Sequence, residues 1–222
     1  MLRTAALVVL IGAFLLTGGV AAQGPALTSE QRAELERWWD SQPKVTLPFE
    51  SSGVRVFIVE FTDLQCPFCR QFAITSFDEI KKNWIDTGKL RYFSRDFPLD
   101  FHAQAMPAAR AARCAGEQGK FWEMRMGLMR NANLLTADYI TRTAGDLKLE
   151  AKAFASCAAS TKFDAEIQAE MAEGAKLGVG GTPTFIMGRT TATAVEGPMM
   201  VGALPYAQFD AKLKALLGPD SK

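Results

Sequence analysis

The sequence predicts an α/β fold in which a single sheet is interrupted by a helical insertion and closed by a final helix. Three observations carry this prediction. Short β-branched and aromatic runs occur at 53–63 and 89–99 and return only at 181–188 and 197–204. Between them, from about Phe101 to Leu177, apolar residues keep helical spacing almost without interruption. The chain has 222 residues, 48% of them hydrophobic, enough for one good core or a core plus a subdomain.

Taken in order, the first segment is a leader. Residues 1–23, "MLRTAALVVLIGAFLLTGGVAAQ", have one basic residue, Arg3, an apolar run from Ala5 to Leu16, and small residues ending at Ala22. This is the pattern of a secretory signal peptide cleaved after Ala22, and the apolar run is short of the roughly 20 residues of a membrane-spanning helix. "TSEQRAELERWW" (28–39) opens on Thr28 or Ser29 as a cap, with Gln31 and Glu34 placed to support a helix start. "GVRVFIVEFTD" (53–63) is apolar nearly throughout from Val54 to Phe61, as a strand covered on both faces must be. Residues 67–87 carry Phe68, Phe72, Phe77, Ile80 and Trp84 at near-helical spacing and stop at Gly88. "KLRYFSRDFPL" (89–99) is the next strand, completing a strand–helix–strand crossover. The helical stretch that follows is broken at "AGEQGK", "NANLL" and "AGDLKLE". "GTPTFIMG" (181–188) and "GPMMVGAL" (197–204) form a hairpin, and "PYAQFDAKLKALL" (205–217) is a closing amphipathic helix.

Charge narrows the function classes. Without residues 1–22, which hold one of the 25 basic side chains, basic and acidic residues balance at 24 each. Neither nucleic acid nor an acidic membrane surface is favoured as a partner. Basic and acidic residues alternate as in "EQRAELER", which suits solvated helix faces.

The chemistry lies in "EFTDLQCPFCR" (60–70). A crosslink across the short Cys66–Cys69 loop stabilises by only roughly 2 kcal/mol in the chain-entropy model, so a structural role uses this spacing poorly. Zinc would need two more ligands, and Cys114 and Cys157 are far apart with only His102 as another soft donor; no metal is expected. A redox role accounts for the neighbours as well. Pro67 favours the first helical position, which puts Cys66 at the cap with the free amides of Phe68 and Cys69 directed at its sulfur. Those amides and the helix dipole favour the thiolate, the form that attacks disulfides. Cys66 is the attacking sulfur and Cys69 the resolving one.

"FTDLQCPFCR", "CAGEQGKFWEM" and "GVGGTPTF", in that order around a helical insertion, resemble the DsbA-like thiol:disulfide oxidoreductases of the thioredoxin superfamily, from about Val45 to Leu217. The resemblance implies a thioredoxin-like fold with an inserted helical subdomain. The boundaries it suggests are a signal peptide at 1–22, an N-terminal helical extension at 23–43, a core at 44–100 and 178–222, and a helical insertion at 101–177. It implies that Thr182-Pro183 is a cis-proline loop lying against the Cys-x-x-Cys site and binding client backbone. It also matches Glu60 to a buried acid beneath the redox pair. Desolvation would fit such an acid to accept the proton of Cys69, whereas the bland alternative is a strand carboxylate that reaches a basic partner. Phe68 departs from the strongly oxidising relatives, which carry histidine between the cysteines; a phenyl ring adds neither charge nor hydrogen bond.

The expected activity is a disulfide-forming oxidase acting on unfolded or reduced exported proteins in the periplasm or another extracytoplasmic space. The resemblance adds a quinone-linked membrane oxidoreductase as the reoxidising partner. No cofactor is expected, and a monomer is. Isomerase or reductase activity is the nearest alternative, although isomerases of this superfamily usually add an N-terminal dimerisation domain and here only residues 23–53 precede the first core strand. A chaperone-like client-binding module or a metal carrier is the alternative from another class. His102 is expected to cap or pack. The helix at 120–130, with Met124, Met126 and Met129, is expected to be core, a client or copper(I) surface being the alternative. Cys114 and Cys157 are expected to form a structural disulfide worth roughly 4 kcal/mol on the entropy model. Two separate buried thiols or a regulatory bond are the other possibilities.

Overall fold

The computed structural model describes residues 27–48, 56–191 and 193–218. The leader expected at 1–22 lies outside the described residues.

Helix α1 (Ser29–Ser41) begins with a capping box: Gln31 N donates to Thr28 Oγ1 and Thr28 N to Gln31 Oε1. Strand β1 (Lys44–Pro48) follows and was not expected from the sequence. Five residues ending in proline carry little strand signal, and β1 is an edge strand whose place is fixed by its partner. Strand β2 (Val56–Thr62) is buried at every position, as its continuous apolar run requires. The helix expected over 67–87 is divided. α2 (Pro67–Thr75) ends at Ser76, and α3 (Phe77–Ile80) continues into a π-helical turn at Lys81–Ile85. The buried Ser76 hydroxyl donates to Leu204 O (2.9 Å), tying the break to a distant segment that local spacing does not reveal. β3 (Arg91–Asp96) then pairs parallel to β2.

The insertion contains α4 (Ala105–Gly116), α5 (Phe121–Arg130), α6 (Ala137–Asp146), α7 (Ala151–Ala158) and α8 (Asp164–Leu177), with breaks in the three expected places and a fourth, at 159–163, that was not expected. α8 ends on Gly178 in the left-handed region (φ 88°). The chain returns to the sheet through β4 (Thr184–Thr190) and β5 (Ala194–Val201) and closes with α9 (Tyr206–Leu217).

The sheet order is β1-β5-β4-β2-β3, antiparallel except for β2 with β3. One face buries Ile58, Phe185, Met187 and Met200 against Trp39, Phe72, Ile80, Phe209 and Leu213 from α1, α2, α3 and α9. The other buries Phe57, Val59, Phe61 and Ile186 with Val179 and Leu177 at the end of α8. A third cluster joins α2 to the insertion and contains Cys66, Cys69, Ala108, Cys114, Met124, Leu128 and Met129. Met124 and Met129 are fully covered, so these two side chains of α5 are core. Around the insertion, Arg113 of α4 binds Asp96 of β3 and Glu170 of α8 (2.7 and 2.6 Å), anchoring it to the sheet edge.

Candidate active site

The turn between β2 and α2 is set by Asp63. Its carbonyl accepts from Cys66 N (3.1 Å) and its Oδ1 from Gln65 N (2.7 Å). Its Oδ2 accepts from Leu99 N (2.9 Å) and meets His102 Nδ1 at 2.7 Å. Gln65 Oε1 accepts from Gln104 N (2.7 Å) at the start of α4. The approach to Cys66 is thereby bonded to the segment leading into the insertion. His102 contributes as a partner of buried Asp63, a contact between residues 39 apart that sequence reading missed.

Cys66 is the N-cap of α2 with extended backbone (φ −68°, ψ 127°), and Pro67 occupies the first turn. Its sulfur lies 3.3 Å from Thr182 O, to which the thiol form donates. The Thr182–Pro183 peptide is cis, so a loop 116 residues away in sequence forms one wall of the site. The Cys66 thiol titrates at about 5, far below an ordinary cysteine. The chief cause is the hydrogen bond donated by the Cys69 thiol; burial opposes it, and the Thr182 hydroxyl and the amides of Cys69 and Phe68 reinforce it. That hydroxyl is buried and makes no hydrogen bond within ordinary limits among the described residues, so its influence on the sulfur is one of proximity. Neighbours, one of them remote in sequence, thus lower the Cys66 pKa although position 68 carries no histidine. Phe68 is 59% exposed beside the sulfur.

Cys69 lies a turn inside α2 and is fully buried, whereas Cys66 keeps 3% of its surface open. Cys66 is the more exposed of the two sulfurs. Burial pushes the Cys69 thiol well up, helped by the hydrogen bond it gives Cys66 and by the negative charge of Glu60. The two cysteines are driven apart: one is a stable thiolate, the other a retained proton.

Glu60 is fully buried in β2, as the resemblance implied. Arg125 of α5 pairs with its Oε2 through Nη2, and Tyr92 OH of β3 donates to the same oxygen at 2.6 Å. The carboxylate does reach a basic partner, as the bland alternative held. Burial and the Glu60 charge raise the Tyr92 pKa, so Tyr92 stays a donor. Neither Arg125 nor Tyr92 was singled out from the sequence. The available signal was a charged residue inside the apolar run "EMRMGLM", where a buried face must pair any cation it contains.

Cys114 of α4 and Cys157 of α7 form a disulfide with Cα atoms 5.8 Å apart. It lies in the insertion cluster that also contains Cys66 and Cys69, which are free thiols. Among the described residues no group of three or more His, Cys, Asp or Glu side chains is placed to hold a metal. A cleft of about 720 Å³ between α1, α2 and α9 is lined by Arg32, Gln71, Asp210 and Lys214 and leaves out Cys66.

A family model described as "Thioredoxin" matches residues 52–202. The crystal structure of Wolbachia pipientis alpha-DsbA1 superposes with a TM-score of 0.67 at 21% identity, covering 82% of this chain and 94% of that one. A Rickettsia conorii protein whose name contains the words "protein-disulfide oxidoreductase" is 38% identical over 69 residues, 31% of this chain and 24% of its own length. A Salinispora tropica protein named "Na(+)/H(+) antiporter NhaA 3" is 33% identical over 167 residues, 74% of this chain. The chain spans about a quarter of the length of that relative (24%).

Proposed function

Since the chain belongs to the thioredoxin family, we propose that it is a thiol:disulfide oxidoreductase that forms disulfides in reduced or unfolded exported proteins. The observation that carries this reading is the pairing of an ionised, reachable Cys66 with a covered, protonated Cys69 against the Thr182–Pro183 loop. An ionised Cys66 stabilises the dithiol form relative to the disulfide, which makes the disulfide the oxidising partner. That favours oxidation over isomerisation or reduction.

In the oxidised enzyme a client thiolate attacks Cys66 Sγ, the Cys66–Cys69 bond breaks, and Cys69 leaves and takes a proton. A second client thiolate then attacks the client sulfur of the mixed disulfide and releases Cys66 as a thiolate. Two electrons have passed from the client to the enzyme. In the reverse sense Cys69 gives its proton to Glu60 and resolves the mixed disulfide. Thr182 and Pro183 border the attacking sulfur, where an extended client segment would lie.

The leader-like residues 1–22 support action outside the cytoplasm. A monomer, with a quinone-linked membrane oxidoreductase restoring the disulfide, completes the proposal, the oxidoreductase resting on the family resemblance alone. The antiporter names belong to proteins of which a quarter or less is matched, and no helix among the described residues is long and apolar enough to cross a membrane. Trapping tests the assignment. Cys69→Ser expressed in cells should accumulate mixed disulfides on non-reducing gels and Cys66→Ser should not. Insulin reduction and the measured reduction potential give the direction. Equal trapping by both variants, or a potential as low as that of a reductase, would overturn the reading.

A further inference from the structure

His102 is the one histidine of the chain, and it stands behind the redox turn rather than in it. Its side chain is 17% exposed and meets the Asp63 carboxyl, which is 0% exposed, at 2.7 Å. Oδ2 of Asp63 already accepts from Leu99 N (2.9 Å), so the facing Nδ1 is the nitrogen that donates. The Phe101 ring lies edge-on against the imidazole, with centroids 4.6 Å apart. Backbone bonds hold the segment that carries the histidine: His102 N donates to Leu99 O (2.9 Å), and His102 O accepts from Ala105 N (3.0 Å) where α4 begins. The imidazole is thus fixed from the insertion side.

On its other side Asp63 closes the turn between β2 and α2. Oδ1 accepts from Gln65 N (2.7 Å) and the carbonyl from Cys66 N (3.1 Å), so one residue sets both bonds that lead into the helix. The direction of this turn decides where Cys66 Sγ lies, 3.3 Å from Thr182 O and at the first amides of α2. A reacting group must be held to within about 0.5 Å of its productive place, which takes bonds behind it as well as beside it.

We propose that His102 is a positioning residue for the attacking sulfur: through Asp63 it fixes the β2–α2 turn, and with it the place of Cys66 against Thr182 and the start of α2. This rests on Cys66 being the attacking sulfur, as set out above. The route is position and not charge. The largest influences on the Cys66 thiol are the hydrogen bond from Cys69, burial, Thr182 and the amides of Cys69 and Phe68, and each depends on where the sulfur lies. When the turn loosens, Sγ drifts from those donors, the thiolate loses stabilisation and the disulfide becomes a weaker oxidant. A second tie, from Gln104 N to Gln65 Oε1 (2.7 Å), remains when His102 is removed. The turn is then loosened and not lost.

The test titrates Cys66 by thiolate absorbance in the whole reduced protein, for the parent, His102→Ala, His102→Gln, His102→Asn, Asp63→Asn and the His102→Ala/Asp63→Asn double variant. The three histidine replacements are all neutral, but only asparagine can set an N–H near the place of Nδ1. His102→Ala and His102→Gln should raise the Cys66 midpoint by about half a pH unit or more, a roughly threefold loss in the ratio of thiolate to thiol. The equilibrium of each protein with glutathione at neutral pH should move toward the protein disulfide by about the same factor. His102→Asn should stay near the parent in both measurements. Asp63→Asn turns an amide toward the Leu99 and His102 donors and should shift the midpoint at least as far as His102→Ala, with the double variant going no further than Asp63→Asn. Parent-like midpoints in His102→Ala and Asp63→Asn proteins that melt earlier would reduce the pair to a structural tie and overturn the inference. Equal shifts in all three histidine variants would assign the effect to something other than the Nδ1 bond and overturn it as well. A parent that titrates at about 5 beside an unshifted His102 series leaves the reading of Cys66 standing, whereas a parent in the ordinary cysteine range removes both.

Discussion

Replacing Cys69 by alanine should shift the ionisation of Cys66, because the hydrogen bond from the Cys69 thiol is the largest contribution holding the Cys66 thiolate. A hydrogen bond to a charged acceptor is worth about 1.5–3 kcal/mol, or roughly 1–2 pH units in the titration. The Cys66 midpoint should therefore rise from about 5 to about 6–7, with the Thr182 hydroxyl and two backbone amides still in place. At pH 5.5 the thiolate fraction should fall from about three quarters to about a quarter or less. Thiolate absorbance at about 240 nm, recorded against pH on reduced protein, reads this fraction directly. Alkylation rates are less direct, since nucleophilicity rises with pKa and partly offsets the loss of thiolate. Thr182→Val removes a smaller contribution and should move the midpoint less. A Cys69→Ala midpoint that stays at the parent value, or a larger effect from Thr182→Val, would refute this account and assign the stabilisation to the helix start alone.

Three further outcomes follow from the same geometry. The reduced protein should gain stability as pH rises from about 5 toward 9.0, since folded Cys66 has lost its proton in a range where the unfolded thiol retains it. The gain, at most about 5 kcal/mol, should stop and reverse above that range, where unfolded thiols ionise but buried Cys69 holds its proton; oxidised protein melted in parallel should show neither trend. Opening the 43-residue loop with Cys114→Ala and Cys157→Ala should cost about 4 kcal/mol in chemical denaturation while insulin turnover persists; lost turnover at unchanged stability would assign the bond a redox role. Gly188→Ala would place Cβ 1.8 Å from Glu196 O across the β4–β5 hairpin, and should lower stability by about 3 kcal/mol or more, measured by the same denaturation; an unchanged midpoint would mean the hairpin has room to shift.

The redox motif and most of the elements were legible because each depends on neighbours in sequence. The fully buried β2, the hairpin, the insertion and three of its four breaks follow from local periodicity and punctuation, and Pro67 places Cys66 at a helix start whatever surrounds it. The division of the active-site helix at Ser76 and the existence of β1 were not legible, since one depends on Leu204 and the other on pairing with β5. The site divides in the same way. Its two sulfurs were readable as a spacing, but their opposite proton affinities depend on how deeply each is buried and on Thr182, 116 residues from Cys66. Glu60 was readable as a break in an apolar run, whereas its partners Arg125 and Tyr92, 65 and 32 residues away, were not. Short-range pattern determined which residues could do chemistry. Burial and charge pairing, which exist only once distant segments share one low-dielectric interior, decided which proton each of them holds.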